Sequence, residues 1–259
     1  MMPQRAHDDA PRSRRIHHRH PLSRTWTTGA VLLGAGQGER LGHGPKALIE
    51  LGGKPLLLHA FHAVTANRTV STVVVTAPQG MVEEFEEIVA SAHPTVPVLV
   101  VPGGLTRQAS AHAGVQALPS ELDWVAVTDV ARPFAQPGHI DRLLNHLRTA
   151  SQTALAARRP CGIAPVLPLA DSVHLIAEEP LLTAPFDRNL LRAAQTPQVV
   201  YRPCLTACHE AAQRDGLTFT DEAGLVSRHG ATVIAAPGDA ANFKITFEYD
   251  LALAEIVLT

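Results

Sequence analysis

Thr28-Gly29-Ala30-Val31-Leu32-Leu33-Gly34-Ala35-Gly36-Gln37-Gly38-Glu39-Arg40-Leu41-Gly42-His43-Gly44-Pro45-Lys46 is the stretch on which the fold turns. Ala30–Leu33 is a short apolar run that stops at glycines, as a strand buried on both faces stops. Similar runs recur at Val73–Val75, Val98–Val101, Trp124–Val127 and Thr232–Ile234. Between them lie segments with helical spacing. Val82, Phe85, Ile88 and Val89 share one face, with Glu83, Glu84, Glu86 and Glu87 on the other. Arg107 to Leu118 forms a second such segment, and Ile140, Leu143, Leu144 and Leu147 mark a third. Strands alternating with helices predict an α/β fold with a mostly parallel sheet and helices on both faces. Ligands of such sheets bind beyond the carboxyl ends of the strands, so the residues just after each apolar run are the informative ones.

The chain flanking this pattern has a different character. Residues 1–27 carry six arginines against Asp8 and Asp9, with no apolar periodicity, and read as a disordered basic extension. His17-His18-Arg19-His20 within it reads as part of a solvated tail. Of the 22 basic residues only Lys46, Lys54 and Lys244 are lysines. The chain's formal charge of −2 divides into +4 on the first 27 residues and −6 on the remainder, which argues against a general nucleic-acid surface on the body. No apolar run approaches the roughly 20 residues of a membrane span, and the basic N-terminus lacks the apolar core of a secretory signal. Three cysteines suggest neither a disulfide framework nor, at Cys204-x3-Cys208-His209, a complete zinc site. A soluble cytoplasmic protein with its folded domain at 28–259 is the expectation.

One segment breaks the alternation. Five prolines between Pro160 and Pro185 exclude a long helix and predict an arm or hairpin, at about 160–187, that packs on another subunit.

In the opening loop Gly34, Gly36 and Gly38 let the backbone approach a ligand closely and point N–H groups at phosphate oxygens. Arg40 and Lys46 add two cations, which suits a polyanion such as a triphosphate. The dinucleotide pattern G-x-G-x-x-G requires glycine where Glu39 stands, and a Walker loop requires Gly-Lys-Ser/Thr where Gly44-Pro45-Lys46-Ala47 stands. The Trp124–Val127 run leads into Thr128-Asp129-Val130-Ala131-Arg132-Pro133. A carboxylate at that strand end is placed to orient hydrated Mg²⁺ or another divalent cation beside phosphates, although such residues also cap helices. Arg132 suits either holding that carboxylate or supporting the loop. Thr220-Asp221-Glu222-Ala223 opens a helical stretch as an N-cap with acids in the first turn. Trp26 and Trp124 read as packing residues.

These motifs, taken in order, resemble the 2-C-methyl-D-erythritol 4-phosphate cytidylyltransferases, within the Rossmann-like nucleotidyltransferases. The series comprises the glycine-rich loop with Arg40 and Pro45-Lys46, Gly103-Gly104 with Arg107 and Ser110, and Asp129–Pro133. It continues through Ala164-Pro165-Val166 with Asp171-Ser172, Asp187-Arg188, Gln195–Gln198, Thr220–Ala223 and Asn242–Thr246. The resemblance spans residues 28–259 and implies cytidylyl transfer from CTP to the polyol phosphate, with release of pyrophosphate and use of Mg²⁺. It implies that Gly34, Ala35, Gly36 and Gly38 wrap the triphosphate and that Arg40, Lys46 and Lys244 are catalytic. It assigns Gly103, Gly104, Arg107, Ser110 and Asp129 to the nucleotide, with Asp129 also toward the metal. Arg132, Ser172, Arg188 and Thr196 fall to the acceptor, Ser172 and Arg188 reaching it from the arm of the partner in a homodimer.

Four positions depart from the family pattern. Thr128 stands for the common histidine, Val130 for alanine near the ribose, His174 for a lysine and Leu105 for an acidic residue. They leave two other readings beside the first, cytidylyl transfer to ribitol 5-phosphate and a non-catalytic nucleotide-binding paralogue.

Overall fold

The computed structural model describes residues 26–38, 41–42, 44–153, 157–178 and 181–258. The opening run forms β1 (Thr28–Leu33), every residue of it buried. The chain then passes a 3₁₀ turn at Lys46–Leu48 and a small hairpin, β2 (Glu50–Leu51) and β3 (Lys54–Pro55), into α1 (Leu56–Thr65). Alternation follows as expected: β4 (Val70–Ala77), α2 (Val82–Ser91), β5 (Val98–Pro102), α3 (Arg107–Ala117), β6 (Trp124–Asp129) and α4 (His139–Ala150). β1 pairs in parallel with both β4 and β6, and β4 with β5.

Side chains alternate across a strand, so a strand buried on both faces feeds two cores. Ala30 and Leu32 join one cluster with Leu57 and Phe61 of α1, Phe85 of α2 and Leu144 of α4. Val31 and Leu33 join the other with Val115 of α3. Helices therefore cover both faces, as the sequence predicts.

Beyond β6 the sheet departs from simple alternation. β7 (Pro160–Pro168) is largely buried and belongs to the main sheet. The arm predicted from residue 160 therefore leaves the body only after Pro168. It carries β8 (Ile176–Glu178) and β9 (Leu181–Leu182), an antiparallel hairpin, and a 3₁₀ turn at Arg188–Leu190. The chain returns as β10 (Arg192–Ala194) and β11 (Gln198–Tyr201), both antiparallel to β7. β11 also pairs antiparallel with β6 and so lies between β6 and β7. α5 (Arg202–Arg214) and α6 (Glu222–Arg228) cover the second core. β12 (Thr232–Pro237) then runs parallel to β7 on its other edge, and α7 (Glu248–Leu258) ends the chain. Six of the eight sheet strands point one way, with β10 and β11 opposed.

Prolines in β7 are tolerated for a geometric reason. A strand residue's N and C=O face the same edge, and the Pro165 carbonyl accepts the Gln195 N–H at 2.8 Å. The missing Pro165 N–H thus falls at the gap between β10 and β11, where no ladder bond is due. The Gln195 carbonyl takes the Gln198 side-chain amide at 3.3 Å instead.

The folded unit begins before Thr28. Trp26 is buried against Trp124 with ring centroids 4.9 Å apart, and Arg148 lies 4.6 Å over its ring. The remainder of the predicted extension, with its histidine cluster, lies outside the described residues.

Candidate active site

The site forms where β1, β5 and β6 end and the segments around Thr196 and Lys244 arrive from the other half of the chain. Gly34 N–H bonds the Thr76 carbonyl at 3.0 Å, and Lys46 N–H closes the loop onto the Gly36 carbonyl at 3.1 Å. Gly38 sits at φ 68°, a left-handed conformation that a Cβ would strain. Arg40 lies outside the described residues, together with Glu39 and His43. Lys46 reaches across the site and donates from Nζ to the Ile245 carbonyl at 2.9 Å. A small core beneath, with Leu41, Ile49, Leu51 and Leu56 against Ile245 and Ala254, fixes that approach. Asp250 accepts the Thr246 and Phe247 N–H groups, each at 2.8 Å, and so anchors the Lys244 loop to α7.

Asp129 ends β6 and is held from two sides. Lys244 Nζ lies 2.6 Å from Oδ2 and Arg107 Nε 3.2 Å from Oδ1. Burial alone would raise the Asp129 pKa, but Arg107 and then Lys244 pull it down to about 2, so the carboxylate is ionised at neutral pH. Arg107 turns its remaining donors to Glu222, Nη1 to Oε1 at 2.9 Å and Nη2 to Oε2 at 3.2 Å. Burial would lower the Arg107 pKa, yet Glu222 and Asp129 outweigh it and hold it above the ordinary value. For Glu222 burial prevails over Arg107 and raises the carboxyl. Arg107, expected at the nucleotide, is thus committed to two carboxylates and braces Asp129.

Ser110, expected at the nucleotide, is buried in the first turn of α3. Its hydroxyl accepts the Gly104 N–H at 3.1 Å and donates to the Thr106 carbonyl at 3.0 Å, so it shapes the Gly103-Gly104 turn from behind. Gly103 has no room for a side chain, since a Cβ would lie 2.4 Å from that of Ala35. Thr106 caps α3 by accepting the Ala109 N–H at 3.0 Å, as Asp221 caps α6 through Gly224 at 2.8 Å. Asp221 and Glu222 do not act as a carboxylate pair: Asp221 also takes Gln198 Nε2 at 2.9 Å, while Glu222 serves Arg107.

Thr196 accepts the Asp129 N–H at 3.0 Å on its hydroxyl, which also lies 3.3 Å from that of Thr128. Asn242 Nδ2 holds the Thr196 carbonyl at 2.9 Å, and Arg132 Nη1 donates to the Asn242 carbonyl at 2.7 Å. Arg132 therefore supports the loop, one of the three readings its place allows. Gln195 adds Nε2 to the Asp239 carbonyl at 2.8 Å and accepts the Asp239 N–H at 3.0 Å. The connecting roles of Gln195 and Asn242 were missed in the sequence, although polar residues beside an apolar strand signal a buried network.

Ser172 and Arg188 stand apart on the projecting arm, both exposed. Arg188 Nη1 donates to the Ala170 carbonyl at the arm's base. Among the described residues neither bonds to the Asp129 cluster. His174 Nδ1 contacts the Thr183 carbonyl at 2.7 Å and so braces the hairpin. Leu105 is fully exposed, and Val130 is buried in the core cluster to which α1 and α4 contribute. The three cysteines are buried; at Cys204 the Cys161 thiol lowers the pKa, but the Cys208 thiol and burial outweigh it and push it up to about 12.

Among the described residues Lys46, Arg107, Arg132 and Lys244 gather around Asp129 and its loops, a set of cations suited to a polyanion. A family model described as 2-C-methyl-D-erythritol 4-phosphate cytidylyltransferase matches residues 28–259. The enzyme of that name from Streptomyces avermitilis is 40% identical over 241 residues, covering 89% of this chain and 91% of the relative. Its counterpart from Synechocystis is 33% identical, covering 86% and 94%. The crystal structure of the Thermus thermophilus enzyme superposes with a TM-score of 0.67 at 33% identity, over 88% of this chain and 97% of that one. The chain belongs to the 2-C-methyl-D-erythritol 4-phosphate cytidylyltransferase family of nucleotidyltransferases.

Proposed function

We propose that the protein transfers the cytidylyl group of CTP to 2-C-methyl-D-erythritol 4-phosphate, releasing pyrophosphate, in isoprenoid precursor synthesis. The observation that carries this reading is the meeting of two distant segments: Lys46 bonds to Ile245, next to the lysine that grips Asp129. An acceptor phosphate oxygen attacks the α-phosphorus of CTP in line, the P–O bond to the β-phosphate breaks, and pyrophosphate leaves. The nucleophile is already an anion near neutral pH, so the residues need not remove a proton. Their task is to bring two anions together and neutralise charge on the leaving group. Lys46 and Lys244 supply that charge, with Arg40 assigned the same part. The backbone of Gly34–Gly38 and Gly103-Gly104 receives the nucleotide, and Thr196 the acceptor.

Asp129 fits a divalent cation: it is ionised, ends a strand, and stands beside the loop read as the phosphate site. Among the described residues no group of three His, Cys, Asp or Glu side chains could hold a metal, so phosphate oxygens and water would complete the coordination. When bound, Mg²⁺ would neutralise phosphate charge.

The arm supports a homodimer. Leu175, Ile176, Leu181, Leu182 and Leu190 each expose more than half of their surface, an apolar display suited to a second copy. In such a dimer Ser172 and Arg188 reach the partner's acceptor site. No described helix is long and apolar enough to cross a membrane, and a cytoplasmic setting accords with the substrates. Pyrophosphate release measured with CTP and Mg²⁺ tests the function. Release with methylerythritol phosphate and none with ribitol 5-phosphate is expected; the reverse preference, or CTP binding without release, would overturn it.

A further inference from the structure

Thr128 has no part in the steps above, yet it touches the residue assigned to the acceptor. It is the penultimate residue of β6 and 3% exposed, and its hydroxyl lies 3.3 Å from that of Thr196, itself 4% exposed. A hydroxyl owns one proton and two acceptor positions. One acceptor position of Thr196 Oγ1 is filled by the Asp129 N–H at 3.0 Å, a group that can only donate.

The Thr128 contact can then run in two directions. If Thr196 gave its proton to Thr128, its remaining lone pair would face an incoming phosphate, and the two would repel. If Thr128 gives its proton to Thr196, both acceptor positions of Thr196 are filled. Its own proton is then left for an oxygen outside the pair, and a hydrogen bond to a charged oxygen is among the stronger ones. Only the second arrangement lets Thr196 serve an anion.

We infer that Thr128 is a positioning residue: by donating to Thr196 Oγ1 it fixes the Thr196 hydroxyl as a donor to a phosphate oxygen of the acceptor substrate. Consecutive residues of one strand thus grip a single oxygen, Thr128 through its side chain and Asp129 through its backbone. Asn242 holds the Thr196 carbonyl at 2.9 Å, so the oxygen's place is set from the other side as well. The inference rests on the proposed acceptor role of Thr196.

Thr128→Val keeps the branched shape and removes the hydroxyl; Thr128→Ser keeps the hydroxyl. Steady-state kinetics with CTP and methylerythritol phosphate should show the acceptor KM raised roughly tenfold in Thr128→Val, equivalent to about 1.4 kcal/mol. The KM for CTP should stay within about twofold, and Thr128→Ser should restore the acceptor KM. On a Thr196→Val background, Thr128→Val should cost nothing more, because its partner is gone. Thr128→Ala serves as the hydroxyl-free variant if Thr128→Val does not fold. An unchanged acceptor KM, an equal rise in the CTP KM, a serine variant as impaired as valine, or additive losses would each overturn the inference. Absence of turnover in the unmodified protein overturns the functional reading and this inference with it. Normal turnover with an unchanged acceptor KM in Thr128→Val overturns the inference alone.

Discussion

Replacing Glu222 by Gln keeps its volume and removes one charge from the centre of the site. Glu222 is 1% exposed and accepts two bonds from Arg107, at 2.9 and 3.2 Å. A carboxamide can accept only one of these and turns an N–H toward the other Arg107 donor. Unit charges about 4 Å apart attract by about 4 kcal/mol at an effective dielectric of about 20. Relief of the buried carboxylate's desolvation offsets this attraction, since burial prevails over Arg107 and raises the Glu222 pKa. What remains is the bond from the charged Arg107 that the carboxamide cannot accept, with that donor left buried and unpaired, about 2–3 kcal/mol. For a chain of this size that corresponds to a fall in Tm of roughly 5–10 °C. Thermal unfolding at pH 7, followed by circular dichroism, measures it. The double variant Glu222→Gln/Arg107→Met tests whether the loss runs through the pair: the combined effect should be smaller than the sum. A Tm within 2 °C of the unmodified protein, or strictly additive losses, would refute the reasoning.

Lys46→Ala, and separately Lys244→Ala, should lower kcat by roughly 10²–10³ without unfolding the protein, and near-normal turnover would remove that lysine from the mechanism. His209 is 1% exposed, stacks on His112 with ring centroids 4.9 Å apart, and has no hydrogen-bond partner for either nitrogen among the described residues. Burial, then the nearby His112, Arg107 and His229, lower its pKa from 6.5 to about 3. The folded state therefore holds it neutral. Its contribution is fully present above pH 6.5 and is lost as pH falls toward 3, by on the order of 4 kcal/mol. Urea titrations across that range should show the slope, and His209→Phe should flatten it; an equally steep profile in the variant would place the proton uptake elsewhere. Asp129 acts in a lower window, its contribution present above pH 3.8 and lost as pH falls through about 2. Leu182→Asp on the arm should shift sedimentation from dimer to monomer and reduce turnover together, whereas an active monomer would detach the arm from the site.

Much of the fold was legible because buried parallel strands announce themselves as unbroken apolar runs. Val73–Val75 and Trp124–Val127 fall inside β4 and β6 for that reason. β7 was not legible, because the prolines that exclude a helix also disguise a strand. Only the interruption opposite Pro165 makes it compatible with a ladder, and that interruption lies thirty residues away in sequence. The place of Asp129 at the carboxyl end of β6 was readable from residue type and the apolar run before it. The partners of Arg107 were not: its three nitrogens meet carboxylates 22 and 115 residues distant, and no local pattern states which distant acid a cation will find. The hydrogen bonds of Ser110 and the packing of Val130 were not legible for a related cause, since sequence gives the neighbourhood of a residue but not the direction of its side chain.

The position of β11 bears on how the chain must assemble. β6 and β7 follow one another in sequence but are kept apart by a strand that is made some thirty residues after β7. On emergence of the first 170 residues, the segment β1–β6 can close its own four-stranded sheet, while β7 has no edge to join. Docking of the second half waits for β11, and the contacts of highest sequence separation, such as Lys46 with Ile245, form last. A chain truncated before Gln198 would thus present a bare β6 edge, open to mispairing, and would hold half of a catalytic centre. The sheet is completed before the site is, because the nascent chain must still deliver Lys244 and Ile245 after β11 to join Asp129 and Lys46.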